Sequence, residues 1–332
     1  MGGASPTQTG GTAYRPAAEA PDGSPSATTR PLVGIGLALV SAAAFGMSGG
    51  FAKSLLLGGW SPGAVVTMRI TLGAAVLLVP TLLGLRGRWG LLRRNAWLVV
   101  GYGVTGVAGC QLAYFFAVSH LSVGVALLLE YLAPVLIVGW LWLRHRRRPG
   151  RLTLLGVALA LGGLLLVLDL TGEVSLSPVG VLWGLGAAVC LVLYFLLADQ
   201  VDDGLSPITL AGAGLVVGAA VLWLAAGAGL LEMTRGADEV LLGGREVAWW
   251  VPVLVLAVVA AAFAYVTGVG AVRVLGSKVA SFVALTEVLF AVLFAWLLLG
   301  ELPAVVQLVG GALIVGGVVA VRADEPAGQP VA

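Results

Sequence analysis

GWSPG at residues 59–63 returns as GLSPI at residues 204–208, and the same 145-residue step carries GAAVLL, starting at Gly73, onto GAAVLW, starting at Gly218. Further along, the step becomes 154: Trp142 falls on Trp296, Pro149 on Pro303, Gly156 on Gly310, Ala158 on Ala312, and Gly162 and Gly163 on Gly316 and Gly317. Matched runs at a nearly constant separation mark an internal duplication. The nine-residue difference between the two steps is assigned to the longer seventh connection.

The duplicated material is apolar. Hydrophobic residues make up 59% of the 332-residue chain and charged ones 10%, with a mean hydropathy of +1.04, far from the averages of soluble domains. The net charge of +2 carries no signal for nucleic acid, because the charges are gathered into short segments between long apolar runs. Windows the length of a bilayer crossing give ten spans: 32–55, 62–84, 97–118, 121–143, 152–170, 178–198, 206–231, 249–272, 278–299 and 303–321. The fold class expected is an all-α membrane protein of ten transmembrane helices. Residues 1–30, rich in Gly, Pro, Ser, Thr and Ala, are expected to be a disordered tail. The apolar run after Arg30 continues to a full span, so it is taken as the first helix rather than a cleaved leader.

Arginine placement orients the bundle. Arg86, Arg88, Arg93 and Arg94 separate spans two and three, while Arg144, Arg146, Arg147, Arg148 and Arg151 separate spans four and five; short cytoplasmic loops are enriched in such residues. Both termini are then cytoplasmic, including the tail 323–332. Trp60, Trp249 and Trp250 fall at outer span edges, the headgroup level that indole rings favour. Each repeat, 31–171 and 178–322, holds five spans, an odd number, so the second copy crosses the membrane in the opposite sense to the first. Two inverted five-helix repeats can open a central site alternately to either side, the design of secondary transporters. A duplicated receptor or scaffold is the other reading of the same pattern.

FAKSLL at 51–56, the Ser-Pro pairs that begin spans two and seven, EYLAP at 130–134 and LTEVLFAVLFAWLLLGELP at 285–303 follow one another in an order that resembles the drug/metabolite transporter superfamily with EamA-type repeats. The resemblance runs from Pro31 to Val321 and is nearest in look to bacterial threonine and homoserine exporters. It implies efflux of amino acids or related small metabolites across the plasma membrane, with efflux of drugs or other cationic compounds as the alternative. One departure is visible: many relatives have Glu-Pro in span nine, whereas here Val288 follows Glu287, which leaves a proline kink there without its usual cause.

The candidate site residues are the polar groups inside spans. An ionised carboxylate at the bilayer centre costs about 2.5–3.5 kcal/mol, so Glu130 and Glu287, both near mid-span, need a compensating role. Either they carry protons as the coupling ion or bind a substrate amine, or they are structural carboxylates bonded to a neighbouring helix. They are not repeat mates: at the 154 step Glu130 falls on Ala284 and Glu287 on Ala133, a displacement of three residues along one helical face. Arg69, deep in span two, has Gly214 as its mate and serves either as a site cation or as half of a structural ion pair. Lys53, near the outer end of span one, can snorkel to the surface. Tyr131 goes with its neighbour Glu130, and Gln111, Tyr114, Tyr265 and Thr267 are further cavity-lining candidates, residues that alone serve more often as hydrogen-bonding glue between helices than as ligands. His120 is expected at the interface, and Cys110 and Cys190 as packing residues.

No metal site, cofactor or enzyme chemistry is expected. The two histidines, His120 and His145, fall at an interface and in a basic loop, and the sequence lacks the GxxxxGK[ST] loop of ATP-driven pumps. The expected partners are a small-molecule substrate, the lipid bilayer and protons, not nucleic acid.

Overall fold

A chain in which nearly every long segment is apolar on all sides can bury its backbone polar groups in lipid only as helix. The computed structural model describes Gly2 and residues 29–118, 120–121, 123–146, 148–168, 177–200, 204–299, 302 and 304–325; most of the two tails, Arg147 and Pro303 lie outside them. The helices are α1 (Thr29–Leu57), α2 (Pro62–Gly84), the short α3 (Trp89–Arg94), α4 (Ala96–Val118), α5 (Val123–Glu130), α6 (Ala133–His145) and α7 (Arg151–Val167). They continue as α8 (Pro178–Asp199), α9 (Pro207–Gly227), α10 (Trp250–Ala284), α11 (Thr286–Leu299) and α12 (Val305–Ala323). Among the described residues, eight helical stretches are long and apolar enough to cross a membrane. Large side chains such as Leu57 and Leu224, 76% and 74% exposed, face outward, as a lipid-solvated surface allows. The chain is a multi-pass membrane protein.

Three helices begin on the same local signal. Ser61, Ser177 and Ser206 each stand before a proline, and their side chains accept the backbone N–H of Ala64, Gly180 and Thr209. The serine satisfies one orphan donor of the first turn, and proline at the first helical position has no N–H to satisfy.

The connection at 231–248, expected to be a loop, holds a two-stranded antiparallel hairpin, β1 (Glu239–Leu242) and β2 (Arg245–Ala248), so the fold departs from all-α there. Gly243 and Gly244, with φ of 59° and 76°, supply the two left-handed residues that such a turn requires. Val240 of the hairpin packs with Leu55, Trp60 and Val253. Trp60 is therefore 4% exposed, with Nε1 donating to Ala237 O at 3.2 Å and its ring 5.1 Å from that of Trp249. The expectation of a headgroup anchor at Trp60 is corrected: the hairpin caps it.

The helices are interrupted at matching places. A π-helical segment occupies Tyr102–Gly109 of α4 and another Val258–Phe263 of α10; at the 154-residue step the first would fall on 256–263. Span four breaks at Tyr131 and Leu132, where Pro134 cannot offer an N–H to the Glu130 carbonyl. The mate of Tyr131 is Leu285, and the helix breaks there too, between α10 and α11. No proline is involved: Thr286 Oγ1 donates to Val283 O at 2.7 Å while Leu285 N and Val288 N make tighter three-residue bonds to Phe282 O and Leu285 O, the hydroxyl competing with the helical ladder. The kink that the missing proline left without a cause is thus present by another means. Within α10, Gly276 leaves the helical region (φ 76°, ψ 161°), so expected spans eight and nine meet at a sharp bend.

Mated helices also pack on each other. A Cβ on Gly156 would lie 2.7 Å from Gly317 O, and one on Gly310 2.6 Å from Gly163 O. Since Gly156 meets Gly317 and Gly163 meets Gly310, α7 and α12 run antiparallel, backbone against backbone. Each end of the pair is clasped by a side chain: Gln307 Nε2 donates to Val167 O at 3.1 Å, and Thr153 Oγ1 to Asp324 Oδ2 at 2.5 Å.

Candidate functional site

The interrupted helices surround a cavity of about 750 Å³. One end of its lining is formed by Gly49, Leu168, Leu302 and Gln307, the other by Ala38, Ala271 and Ala280. Among the sequence candidates, Arg69, Gln111, Tyr114, Glu130, Tyr131, Tyr265 and Glu287 all line it. Lys53 does not: it is exposed, one helical turn beyond Gly49. Thr267 is buried, donating to Phe263 O at 2.9 Å, and His120 lies exposed with Nδ1 2.9 Å from Phe116 O.

The breaks bring the carboxylates together. Glu130 is the last residue of α5 and Glu287 the second of α11, each beside an interruption, and both are partly accessible from the cavity. The two groups are within electrostatic reach of each other, and Tyr131 is within reach of Glu287. On the other carboxylate, Cys110 Sγ donates to Glu130 Oε1 at 3.1 Å, so Cys110 is more than the packing residue expected. Gln111 and Tyr265, mates at the 154-residue step, lie close to one another in the lining.

Arg69 is 8% exposed, and its partner is not a carboxylate. Nη2 donates to Ala260 O at 2.7 Å, a carbonyl of the second π-helical segment, and Cζ stands 5.8 Å from the centre of the Phe45 ring. A π segment shifts the regular hydrogen-bond ladder, and the guanidinium supports it there. Nε has no partner, while Glu287 and Tyr265 lie within electrostatic reach. The mate, Gly214, sits against the first π segment: a Cβ on Gly103 would lie 2.7 Å from Gly214 O, and a Cβ on Gly214 2.8 Å from Tyr102 Cε1. Arginine on one π segment thus corresponds to a tyrosine ring over glycine on the other.

Arg69→Ala is accordingly expected to lower the thermal midpoint of the purified protein by the equivalent of about 2 kcal/mol, an unpaired buried carbonyl being the main cause. Adding Glu287→Gln should recover part of the loss. A midpoint equal to that of the parent would remove Arg69 from the structural role.

Sequence reading passed over Tyr194, Phe45 and Ser41. Tyr194 and Tyr265 have ring centres 5.9 Å apart, and Phe45 and Tyr265 5.2 Å, forming an aromatic wall in the cavity lining. Tyr194, a lone hydroxyl inside the apolar run LVLYFLL, offered a signal; Phe45 offered none, since an aromatic residue in a membrane helix looks the same facing lipid or cavity.

A duplicated helical bundle with broken helices and acidic groups at a central cavity has the build of a membrane transporter. The chain belongs to the EamA-like transporter family, which matches residues 32–169 and again 178–323. An uncharacterized inner membrane transporter of Salmonella typhimurium, YicL, is 29% identical over 104 residues, 31% of this chain and 35% of that protein; the chain thus matches about a third of that relative's length. An uncharacterized transporter of Archaeoglobus fulgidus is 29% identical over 206 residues, 62% of this chain and 69% of that one. A protein of known crystal structure superposes with a TM-score of 0.70 at 21% identity, covering 90% of this chain and 98% of its own, a likeness of fold alone.

Proposed function

We propose that this chain is a secondary active transporter that exports small metabolites, amino acids or related compounds, across the plasma membrane by alternating access. The observation that carries the reading is the cavity where Glu130 and Glu287 meet beside mated helix breaks, with Arg69 and the aromatic wall around them. Two carboxyl groups facing one arginine leave room for a further positive charge, a substrate amine or a proton, while the free Nε edge of Arg69 suits a carboxylate. Ten crossings, as inverted repeats at 31–171 and 178–322 with both termini cytoplasmic, are supported by the antiparallel pairing of α7 with α12 and by the bend at Gly276, after which the short second part of α10 and α11 together would make the ninth crossing. Alternating access would then consist of the repeats exchanging shapes about the cavity.

The aromatic wall favours a second reading, efflux of hydrophobic organic cations, because ring faces attract such ions when desolvated. The test is counterflow. Purified protein in liposomes loaded with one unlabelled amino acid should transiently concentrate the labelled compound from outside. Counterflow with organic cations alone would favour the second reading, and saturable binding without counterflow of either would leave a receptor.

A further inference from the structure

At the end of the bundle beyond Ala271 and Ala280, polar side chains form a connected cluster. Arg273 Nη1 donates to Leu205 O, and Ser277 N donates to Asp199 Oδ2 at 3.0 Å immediately after the bend at Gly276. Lys278 Nζ stands 2.9 Å from Glu325 Oε1, with the two side chains only 17% and 13% exposed. Asp324, the neighbour of Glu325, takes the bond from Thr153 at the start of α7. The cluster thereby ties the start of the second half of α10 to the end of α12 and, through Thr153, to the first repeat.

Two further observations point to movement at this end. Tyr102 OH, Tyr194 OH, and Nε and Nη2 of Arg273 are buried without partners, and the Tyr102 and Tyr194 rings stack at 5.3 Å. Buried orphans are rare in folded proteins, and each asks for a partner. These lie between the cavity, which Tyr194 lines, and the cluster; opening this end would give them water or substrate. Moreover, the cluster is not duplicated. At the 154-residue step Lys278 corresponds to Gly124 and Glu325 to Thr171, so the pair that holds one end has no counterpart of the same chemistry in the other repeat.

We propose that the Lys278–Glu325 pair is a latch that holds this end of the pathway shut, and that Tyr194, Tyr102 and Arg273 line the half-pathway behind it. Breaking one partially buried ion pair strands its partner, so the closed state loses a contact that the opened state, with both groups hydrated, does not need. The equilibrium then shifts toward opening at this end.

The test reads access rather than transport, so it holds whatever the substrate or coupling ion is. A cysteine at Gly49, where a side chain meets nothing within 4 Å, identifies the membrane side on which the cavity opens to an impermeant maleimide. A cysteine at Ala280 is then probed from the opposite side, in right-side-out and inside-out vesicles, against the parent protein with its two native cysteines. Lys278→Met and Glu325→Gln should each raise the Ala280→Cys labelling rate from that side by about tenfold. The exchanged pair, Lys278→Glu with Glu325→Lys, and the conservative Lys278→Arg should both stay near the parental rate. Unchanged labelling in both neutralised variants, purified as monodisperse protein, would overturn the latch. If neither neutralised variant folds, the exchanged pair decides: labelling raised about tenfold in a folded exchange variant refutes a charge latch, and parental labelling supports it.

Discussion

Glu130→Gln is expected to abolish accumulation driven by an imposed pH gradient while leaving substrate exchange across liposomes within about twofold of the parent. The substitution keeps the side chain's size and its acceptor for Cys110 Sγ, 3.1 Å away, but removes titration. In this cavity a negative charge on Glu130 repels one on Glu287, and each charge is costly so far from water. A proton or a substrate amine relieves that cost, and the variant separates the two. Loss of gradient-driven accumulation with exchange intact makes Glu130 the proton carrier. Loss of exchange together with binding makes it the amine ligand. Normal accumulation in the variant would assign the carboxylate to structure, with Cys110 as its partner.

The second large effect is expected in α7, where two adjacent glycines have opposite surroundings. A Cβ on Gly163 would fall onto Gly310 O and lie 2.8 Å from Ile314 N, whereas at Gly162 it would meet nothing within 4 Å. Gly163→Ala should therefore destabilise by about 1–3 kcal/mol, since the obstacle is the backbone of α12 and cannot rotate away. Gly163→Leu should abolish monodisperse protein altogether. Gly162→Ala should be neutral or stabilising by up to about 1 kcal/mol through helix propensity. Thermal unfolding of the purified pair is the measurement. Equal midpoints for Gly162→Ala and Gly163→Ala would mean that α7 and α12 are not in backbone contact.

Much of this architecture was open to sequence reading because the duplication supplied its own alignment. The step that matched Gly156 and Gly163 with Gly310 and Gly317 gave the repeat, though not that the two mated helices meet at those glycines, and cost arguments for charge in lipid singled out Glu130, Glu287 and Arg69, all of which line the cavity. What stayed hidden depended on backbone detail. The π segments leave no sequence signal of their own, so the carbonyl that Arg69 meets was invisible, and a carboxylate was the natural guess for its partner. The hairpin at 239–248 was passed over because its Gly243–Gly244 turn sits in a polar stretch judged only by length. Cys110 was set aside because thiols usually pack as small apolar groups; its bond to Glu130 depends on how α4 faces α5.

The mismatch between Arg69 and Gly214 has a kinetic meaning. If the two repeats were inverted and identical, the outward-open and inward-open forms would be related by a two-fold rotation and equal in free energy, and a vesicle preparation would turn over equally fast in either sense. In the alternating-access cycle proposed above, an arginine bonded to one π segment and a tyrosine ring set against the other would lift that degeneracy, making one form the resting state and giving the two half-cycles different barriers. Detailed balance still forbids such asymmetry from choosing the direction of net flux. That choice would belong to the gradients across the membrane, and the built-in imbalance would decide only how long the protein waits on each side.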